Sequence, residues 1–333
     1  MQRTETGAAD PYPEPIDAIV LAGTDDNPKR LIRGSNKAFL EIGGQVLVRR
    51  VVEALLDATT IGQVFVVGPS GRLRDMLQGL PEGLGRQVTV VQQGGKMLAN
   101  AWKAIDALEV RYHERHGTGD PQRPLLFVSS DLPLISAAAV DDFVRRCARE
   151  DRLAASGHSM LAGVAEEASL RRFYPEHGKA GIERPFVHLD DYRLRLANIY
   201  VGRPRTLSEQ QFLQTGFDHR KAEKWKNVLA LAWKFLAQPG GLRAARITLR
   251  LQATLLAARR GGRLYHKLRS GNRRDRVEQA CGEVIGGSVR MVITPFGELS
   301  LDVDNDKDYL VLSQRFDDWQ GQPPIFGPGA RPL

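Results

Sequence analysis

Cysteine is nearly absent. The 333-residue chain has two, Cys147 and Cys281, far apart and outside any CxxC pair. That excludes a disulfide framework and argues against a structural zinc site. His113, His116, His158 and His177 show no metal-ligand spacing and read as surface histidines. No run of about 18 uncharged apolar residues occurs, so no spanning helix is expected. The opening MQRTETGAADPYPEP has no apolar h-region, which argues against a signal peptide and for a reducing cytoplasm. Neither GxGxxG nor GxxxxGK followed by Ser or Thr is present, and there is no internal repeat.

What is present fits a folded globular chain. Apolar residues make up 42% and charged residues 26%, with 33 Gly and 18 Pro. Collagen, a coiled-coil rod and wholesale disorder are excluded. The length suits two domains, or one large domain with an insertion. The net charge of +8 is unevenly spread. Between Arg203 and Ala280 there are 18 Lys or Arg against 5 Asp or Glu, while the remainder holds 29 against 34. One segment carries the whole excess, which points to an anionic partner.

Apolar runs at Ile16–Leu21, Val64–Val67, Val88–Gln92 and Leu125–Val128 read as buried strands. Helical spacing falls between them, at Val46–Leu56, Leu73–Leu77 and Met97–Arg111, and again at Ala137–Glu150. This alternation predicts a three-layer α/β fold with a mostly parallel sheet. Strand signals follow at Leu153–Val164 and Arg195–Val201, and return at Val289–Ile293 and Leu299–Val303. From Ser208 to about Ala280 the pattern is helical. The expected organisation is a disordered lead (1–15), a first α/β part (16–205), a basic helical insertion (206–282), closing strands (283–316) and a Pro/Gly-rich tail (317–333).

Ligands on such sheets bind at the carboxyl ends of the strands. Here those ends carry Leu21-Ala22-Gly23, Gln92-Gln93-Gly94 and Ser129-Ser130-Asp131. The loop after the first strand leads to Gly34-Ser35-Asn36-Lys37. Its backbone N–H groups and lysine suit phosphate oxygens, or it is a solvated loop with a surface lysine. Asp131 is placed to hold a divalent cation, or to cap a helix. Asp302 and Asp304 alternate near the chain's end, where one of them can share that cation, or the run is an Asx turn.

Taken in order, Leu-Ala-Gly, Asn-Lys-Ala-Phe-Leu-x-Ile-Gly-Gly, Val-Val-Gln-Gln-Gly-Gly, Ser-Ser-Asp-Leu-Pro-Leu and Asp-Val-Asp-Asn-Asp-Lys-Asp-Tyr form a pattern. It resembles the nucleotidyltransferase superfamily with a Rossmann-like GT-A fold, and is most similar to NTP transferases of the molybdenum-cofactor guanylyltransferase type. The resemblance covers residues 16–145 well and 285–312 moderately. It implies an enzyme that transfers a nucleoside monophosphate from an NTP to a small anionic acceptor, releasing pyrophosphate, with Mg²⁺ as cofactor. It implies that Leu21, Ala22 and Gly23 line the base and ribose, and that Lys37 contacts the phosphates. Gln92 or Gln93, with Gly94 and Asn100, would meet the base edge. Asp131 and Asp304 would be the metal ligands, with Lys37 and Asp131 catalytic. The signature loop departs from the family: Thr24 stands where a second glycine is usual, and Arg30 or Arg33 must serve as the loop arginine. A GT-A glycosyltransferase would want Asp-x-Asp after the fourth strand, where Ser129-Ser130-Asp131 has one acid. A non-catalytic nucleotide-binding module is the other alternative.

Acceptor-side candidates lie in VHLDDYRLRLANIYVGRP: His188, Arg193, Arg195 and above all Asn198, with Lys179 and Arg184 in a Gly-rich loop. A charged sheet edge is the competing reading. In the basic block, Trp225, Leu229, Trp233, Phe235, Leu236, Leu251, Leu255 and Leu256 form apolar stripes flanked by arginines. These stripes pack on the sheet or on a second subunit as a homodimer, or they rest on the inner face of an anionic membrane. Nucleic acid is the third reading, and no aromatic-interleaved platform or helix-turn-helix signature supports it.

Overall fold

The computed structural model describes residues 12–23, 31–80, 88–95, 97–208 and 241–333. Strand β1 (Ile16–Leu21) is apolar along its length because both of its faces are covered: Ala18, Ile19 and Val20 are fully buried. It pairs in parallel with β4 (Ile61–Gly68) on one side and β6 (Leu125–Ser129) on the other, and β4 pairs in parallel with β5 (Val88–Gln92). Beyond β6 runs the antiparallel β9 (Arg193–Gly202), then β7 (Met160–Glu166) and β10 (Val289–Thr294), which are parallel to each other. The order is β10-β7-β9-β6-β1-β4-β5, with the short β8 (Val187–His188) paired to the start of β9. The mostly parallel three-layer expectation holds.

Helices α1 (Leu47–Asp57) and α4 (Ala137–Leu153) cover one face, burying Val51, Leu55, Phe143 and Cys147 against Val20, Val66 and Val128. Helix α3 (Met97–His116) covers the other, with Ile105 and Leu108 against Ile19, Phe65 and Val67. Helix α2 (Ser70–Met76) links β4 to β5, and α5 (Glu167–Leu170) follows β7. Part of the expected lead is placed: the Tyr12 hydroxyl donates to Asp151 Oδ2 at 2.6 Å.

The expected strand at Leu299–Val303 is absent. A 3-10 turn at Gly297–Ser300 is followed by a segment that belongs to no strand ladder. The apolar alternation does not mark a one-sided strand, because Ser300 and Asp302 are buried along with Leu299, Leu301 and Val303. Leu301 and Val303 join a cluster with side chains of α9 (Asp306–Trp319) and Phe173, while Leu299 joins the main core with Phe143 and Val292. Helix α9 starts where Asn305 Oδ1 accepts from the Asp308 N–H at 2.9 Å. It runs through Trp319, so residues 317–319 belong to a helix and not to the tail.

A hairpin of β2 (Glu41–Ile42) and β3 (Gln45–Val46) closes against α9. Its two turn residues, Gly43 and Gly44, have φ of +59° and +71°, the left-handed geometry of a type I′ turn. A Cβ on Gly43 would overlap the Phe316 ring, whereas one on Gly44 meets nothing within 4 Å. Gly43→Ala is therefore expected to cost about 2 kcal/mol or more and Gly44→Ala about 1 kcal/mol. Denaturant unfolding of the two variants checks this, and equal losses would contradict it.

Between β9 and β10 the chain forms α6 (Gly241–Ala258), α7 (Gly262–Arg269) and α8 (Arg274–Ile285). Helix α8 lies against β10 and α6, and α6 lies against β8. The Asn272 amide donates to His188 O and to Thr254 Oγ1, both at 2.9 Å. Trp225, Leu229, Trp233, Phe235 and Leu236 lie outside the described residues. Leu251 packs inward near Val277 and Ile293, while Leu256 faces outward.

Candidate active site

The carboxyl ends of β1 and β6 set the site. Beyond β1, the Ala22 N–H donates to Val67 O at 2.9 Å, and the Asn36 amide reaches Ala22 O at 3.3 Å. Asn36 Oδ1 also accepts from the Ala38 N–H at 3.1 Å, capping a 3-10 turn over Lys37–Phe39. One side chain thus ties the lysine-bearing turn to the end of β1. At the end of β6, the Ser130 hydroxyl donates to Leu21 O at 2.9 Å, and Ser129 Oγ donates to Asp131 Oδ1. The Val303 N–H donates to Asp131 O at 3.3 Å and draws the closing segment alongside.

Asp131 and Asp304, far apart in sequence, meet on one ammonium. Lys37 Nζ lies 3.2 Å from Asp131 Oδ2 and 3.4 Å from Asp304 Oδ1. Two arginines complete the cluster. Arg184 donates to Asp302 O at 2.6 Å and stands 2.8 Å from Asp308 Oδ2 and 3.6 Å from Asp304 Oδ2. Arg195 donates to Ser300 O at 3.1 Å, with Nη2 3.6 Å from Asp302 Oδ1 and 4.0 Å from Asp304 Oδ2. Asp308 also accepts from the Asp304 N–H at 3.2 Å. Four carboxylates therefore face three cations.

The electrostatics follow from that excess. Burial, together with neighbouring Asp131 and Asp304, pushes the Asp302 carboxyl up to about 6, against the pull of Lys37 and Arg184. Burial disfavours the Lys37 ammonium, but Asp131, Asp304 and Asp302 outweigh it and hold its pKa above the ordinary lysine value. Burial lowers the Arg195 pKa despite Asp302 nearby. Asp302 Oδ1 is buried without a hydrogen-bond partner among the described residues. Hard carboxylate oxygens, one of them without a hydrogen bond, fit a hard divalent cation that takes its other ligands from phosphates and water. No ready-made cage of three metal-ligating side chains exists among the described residues.

On the β5 side, Gly23, Gln93, Gly94 and Asn100 come together. A Cβ on Gly23 would lie 2.8 Å from Asn100 Nδ2 and 3.4 Å from Gln93 Oε1. The Gly94 N–H donates to Asn100 Oδ1. Glycine at position 23 therefore keeps a narrow floor open. Gln92 points elsewhere: its Oε1 accepts from the Ser70 N–H at 3.0 Å, at the start of α2. Of the two glutamines, Gln93 is the one facing the cleft. Lys103 was missed by sequence reasoning. Its Nζ would lie 3.2 Å from a Cβ on Gly94, and the signal was its place one helical turn after Asn100.

Four other expectations fare differently. The Arg33 guanidinium lies over the Tyr309 ring, 5.6 Å from its centroid, and the Arg33 N–H donates to Asp306 Oδ1 at 3.0 Å. That places Arg33 against the first turn of α9. Lys179 pairs with Asp318 at 3.0 Å, at the far end of α9 from Asp304, and is not in the cluster. His188 is a docking residue for α7, its Nδ1 lying 2.9 Å from the Tyr265 hydroxyl. Asn198 sits on β9 one residue beyond the Val128–Ile199 pair, level with Ser129 at the edge of the cleft.

The role of His188 has a pH consequence. Burial lowers its pKa, and Arg193 and Arg269 push the same way. The folded state resists protonation, so its contribution is present above the unfolded pKa of about 6.5 and is lost as pH falls toward the folded value. The wild-type melting temperature is expected to drop more than that of His188→Gln, by a few degrees, between about pH 7.5 and about pH 5. Parallel slopes would contradict this.

Known proteins resemble this chain in sequence and in fold. The model of the MobA-like NTP transferase domain matches residues 18–187. A 2-C-methyl-D-erythritol 4-phosphate cytidylyltransferase from Chlorobium luteolum is 28% identical over 130 residues, covering 38% of this chain and 52% of that protein. The chain thus spans about half the length of that curated relative. A solved structure from Thermus thermophilus, described as a hypothetical transferase, superposes with a TM-score of 0.54 at 19% identity, covering 88% of this chain and 98% of the other. That likeness shows the shared fold, and the sequence match, running from β1 through β8, shows the family: the chain belongs to the MobA-like NTP transferase domain family.

Proposed function

We propose that the protein is a nucleotidyltransferase that uses a divalent cation, Mg²⁺, to move a nucleoside monophosphate from an NTP to a small anionic acceptor. The observation that carries this reading is the convergence of Asp131 and Asp304 on Lys37 at the strand ends. The similar cytidylyltransferase has a sugar-alcohol phosphate in its name, and a phosphorylated acceptor of that kind fits the arginines here.

In the reaction, an oxygen of the acceptor attacks the α-phosphorus. The bond from that phosphorus to the bridging oxygen breaks, and pyrophosphate leaves. A phosphate acceptor is already ionised, so no general base is needed. Both reactants are anions, so the task of the protein is positioning and charge neutralisation. A divalent cation held by Asp131 and Asp304, with Asp302 beside them, supplies Lewis-acid charge to the phosphates. Lys37 faces the triphosphate from the end of β1. Gly23, Gln93, Gly94 and Asn100 form the base side, where backbone N–H groups and amides read polar edges. Arg195 and Asn198 flank the acceptor side, with Arg184 holding Asp304 and Asp308 in register.

Titration of the four common NTPs with Mg²⁺ is the test. One nucleotide should bind saturably, and pyrophosphate should appear once a sugar or alditol phosphate is added. Saturable binding without pyrophosphate across a broad acceptor panel would favour a nucleotide sensor and count against the enzyme.

A further inference from the structure

We infer that α6 and α7 form a surface that docks on an anionic lipid bilayer. The sequence between Gly241 and Arg274 has ten Lys or Arg and no Asp or Glu. Five of the ten are held by the protein. Arg243 pairs with Glu283, Arg273 with Asp275 and Arg274 with Glu278. Arg250 and Arg269 donate to backbone carbonyls of Gly271 and Leu189. The other five, Arg246, Arg259, Arg260, Arg263 and Lys267, are exposed.

The apolar pattern of α6 has two faces. Ala244, Ala245 and Thr254 are buried, and Ile247 and Leu251 pack toward the core. Leu242, Leu249 and Leu256 are spaced by seven, which puts them in one row on another face. Leu242 and Leu256 are 61% and 51% exposed, and Leu264 at the start of α7 is 63% exposed. Single exposed leucines need no explanation, but Leu242, Leu256 and Leu264 together, on a stretch whose own sequence has cations and no acid, fit the pattern of an interfacial surface. The leucines would enter the headgroup boundary while the arginines meet lipid phosphates. Nucleic acid fits less well. The one Phe, Trp or Tyr between Gly241 and Arg274 is Tyr265, which is buried and leaves no ring for base stacking. No helix among the described residues is long and apolar enough to cross a membrane, so docking here means lying on the surface. The inference is independent of the reaction proposed above.

Flotation of the full chain with phosphatidylcholine vesicles, with and without phosphatidylserine, tests the proposal. Binding should be about tenfold or more tighter to the anionic vesicles and should fall steeply in high salt. The combined change Leu242→Ser, Leu256→Ser, Leu264→Ser should weaken it about tenfold, and Arg259→Glu, Arg260→Glu, Arg263→Glu should abolish it. All six positions are outward-facing, so melting temperatures should stay near wild type. Salt dependence of the unmodified protein provides a readout that needs no variant. Absence of flotation at low salt overturns the inference. So does flotation that the leucine changes leave intact while duplex RNA competes it away, which would assign the patch to nucleic acid.

Discussion

Replacing Asp131 by Asn is expected to reduce nucleotidyl transfer about a thousandfold while leaving the protein folded. The carboxylate is nearly buried, and its two oxygens face Lys37 and Ser129. Asn keeps the shape and can still accept from the serine hydroxyl, so packing and the fastening of β6 survive. What disappears is one negative charge from a cluster in which four acids face three cations. In metal-free buffer that loss relieves repulsion, so the melting temperature should be unchanged or higher. Pyrophosphate release under saturating NTP and metal, read beside thermal unfolding, separates the two effects. A variant with full turnover would overturn the role given to Asp131, and a variant that fails to fold would show the carboxylate to be structural.

Lys37→Met should produce the opposite signature in stability and a related one in function. Methionine keeps the length of the aliphatic stem but leaves Asp131 and Asp304 facing each other without the ammonium between them. Breaking a largely buried ion pair typically costs about 3 kcal/mol or more, so the metal-free variant should melt well below wild type. Removing a positive charge from between two carboxylates should also tighten binding of a divalent cation in the absence of nucleotide. Triphosphate affinity and turnover should both fall, because the ammonium that faces the phosphates in the proposed reaction is gone. Calorimetric titration with Mn²⁺, and separately with NTP, would show this crossing of affinities. Weakened Mn²⁺ binding in the variant would mean that Lys37 does not compete for the space between the two acids.

Much of the fold was legible before any coordinate. Parallel strands are continuous apolar runs, and β1, β4 and β6, with β5 at the half-buried sheet edge, stand at the expected places because that signal is local. The three strand-end motifs were legible for the same reason. The segment over Leu299–Val303 was not, since its apolar alternation suggests one buried side, whereas all five residues are buried between the main core and α9 with no ladder partner. Lys179 and Arg184 sit five residues apart in one loop, yet the first pairs with Asp318 and the second with Asp308. Nothing in their spacing separates those outcomes. Gln92 ends β5 and Gln93 follows it, and only the path of α2, whose start holds Gln92, separates their roles.

The succession of strands and helices through β6, the basic bias of the block after β9, and the acids, lysine and glycines at the strand ends were all readable in the sequence. Each of these depends on periodicity or composition, which neighbours along the chain carry. Only the tertiary structure decided which acids meet Lys37, which arginines hold them, and that His188 serves the helical block rather than the cleft. Those choices depend on contacts between residues 37, 131, 184, 195 and 304, which the sheet order brings together. Identical side chains acquire different roles there, because charge acts through space and no local pattern encodes that distance.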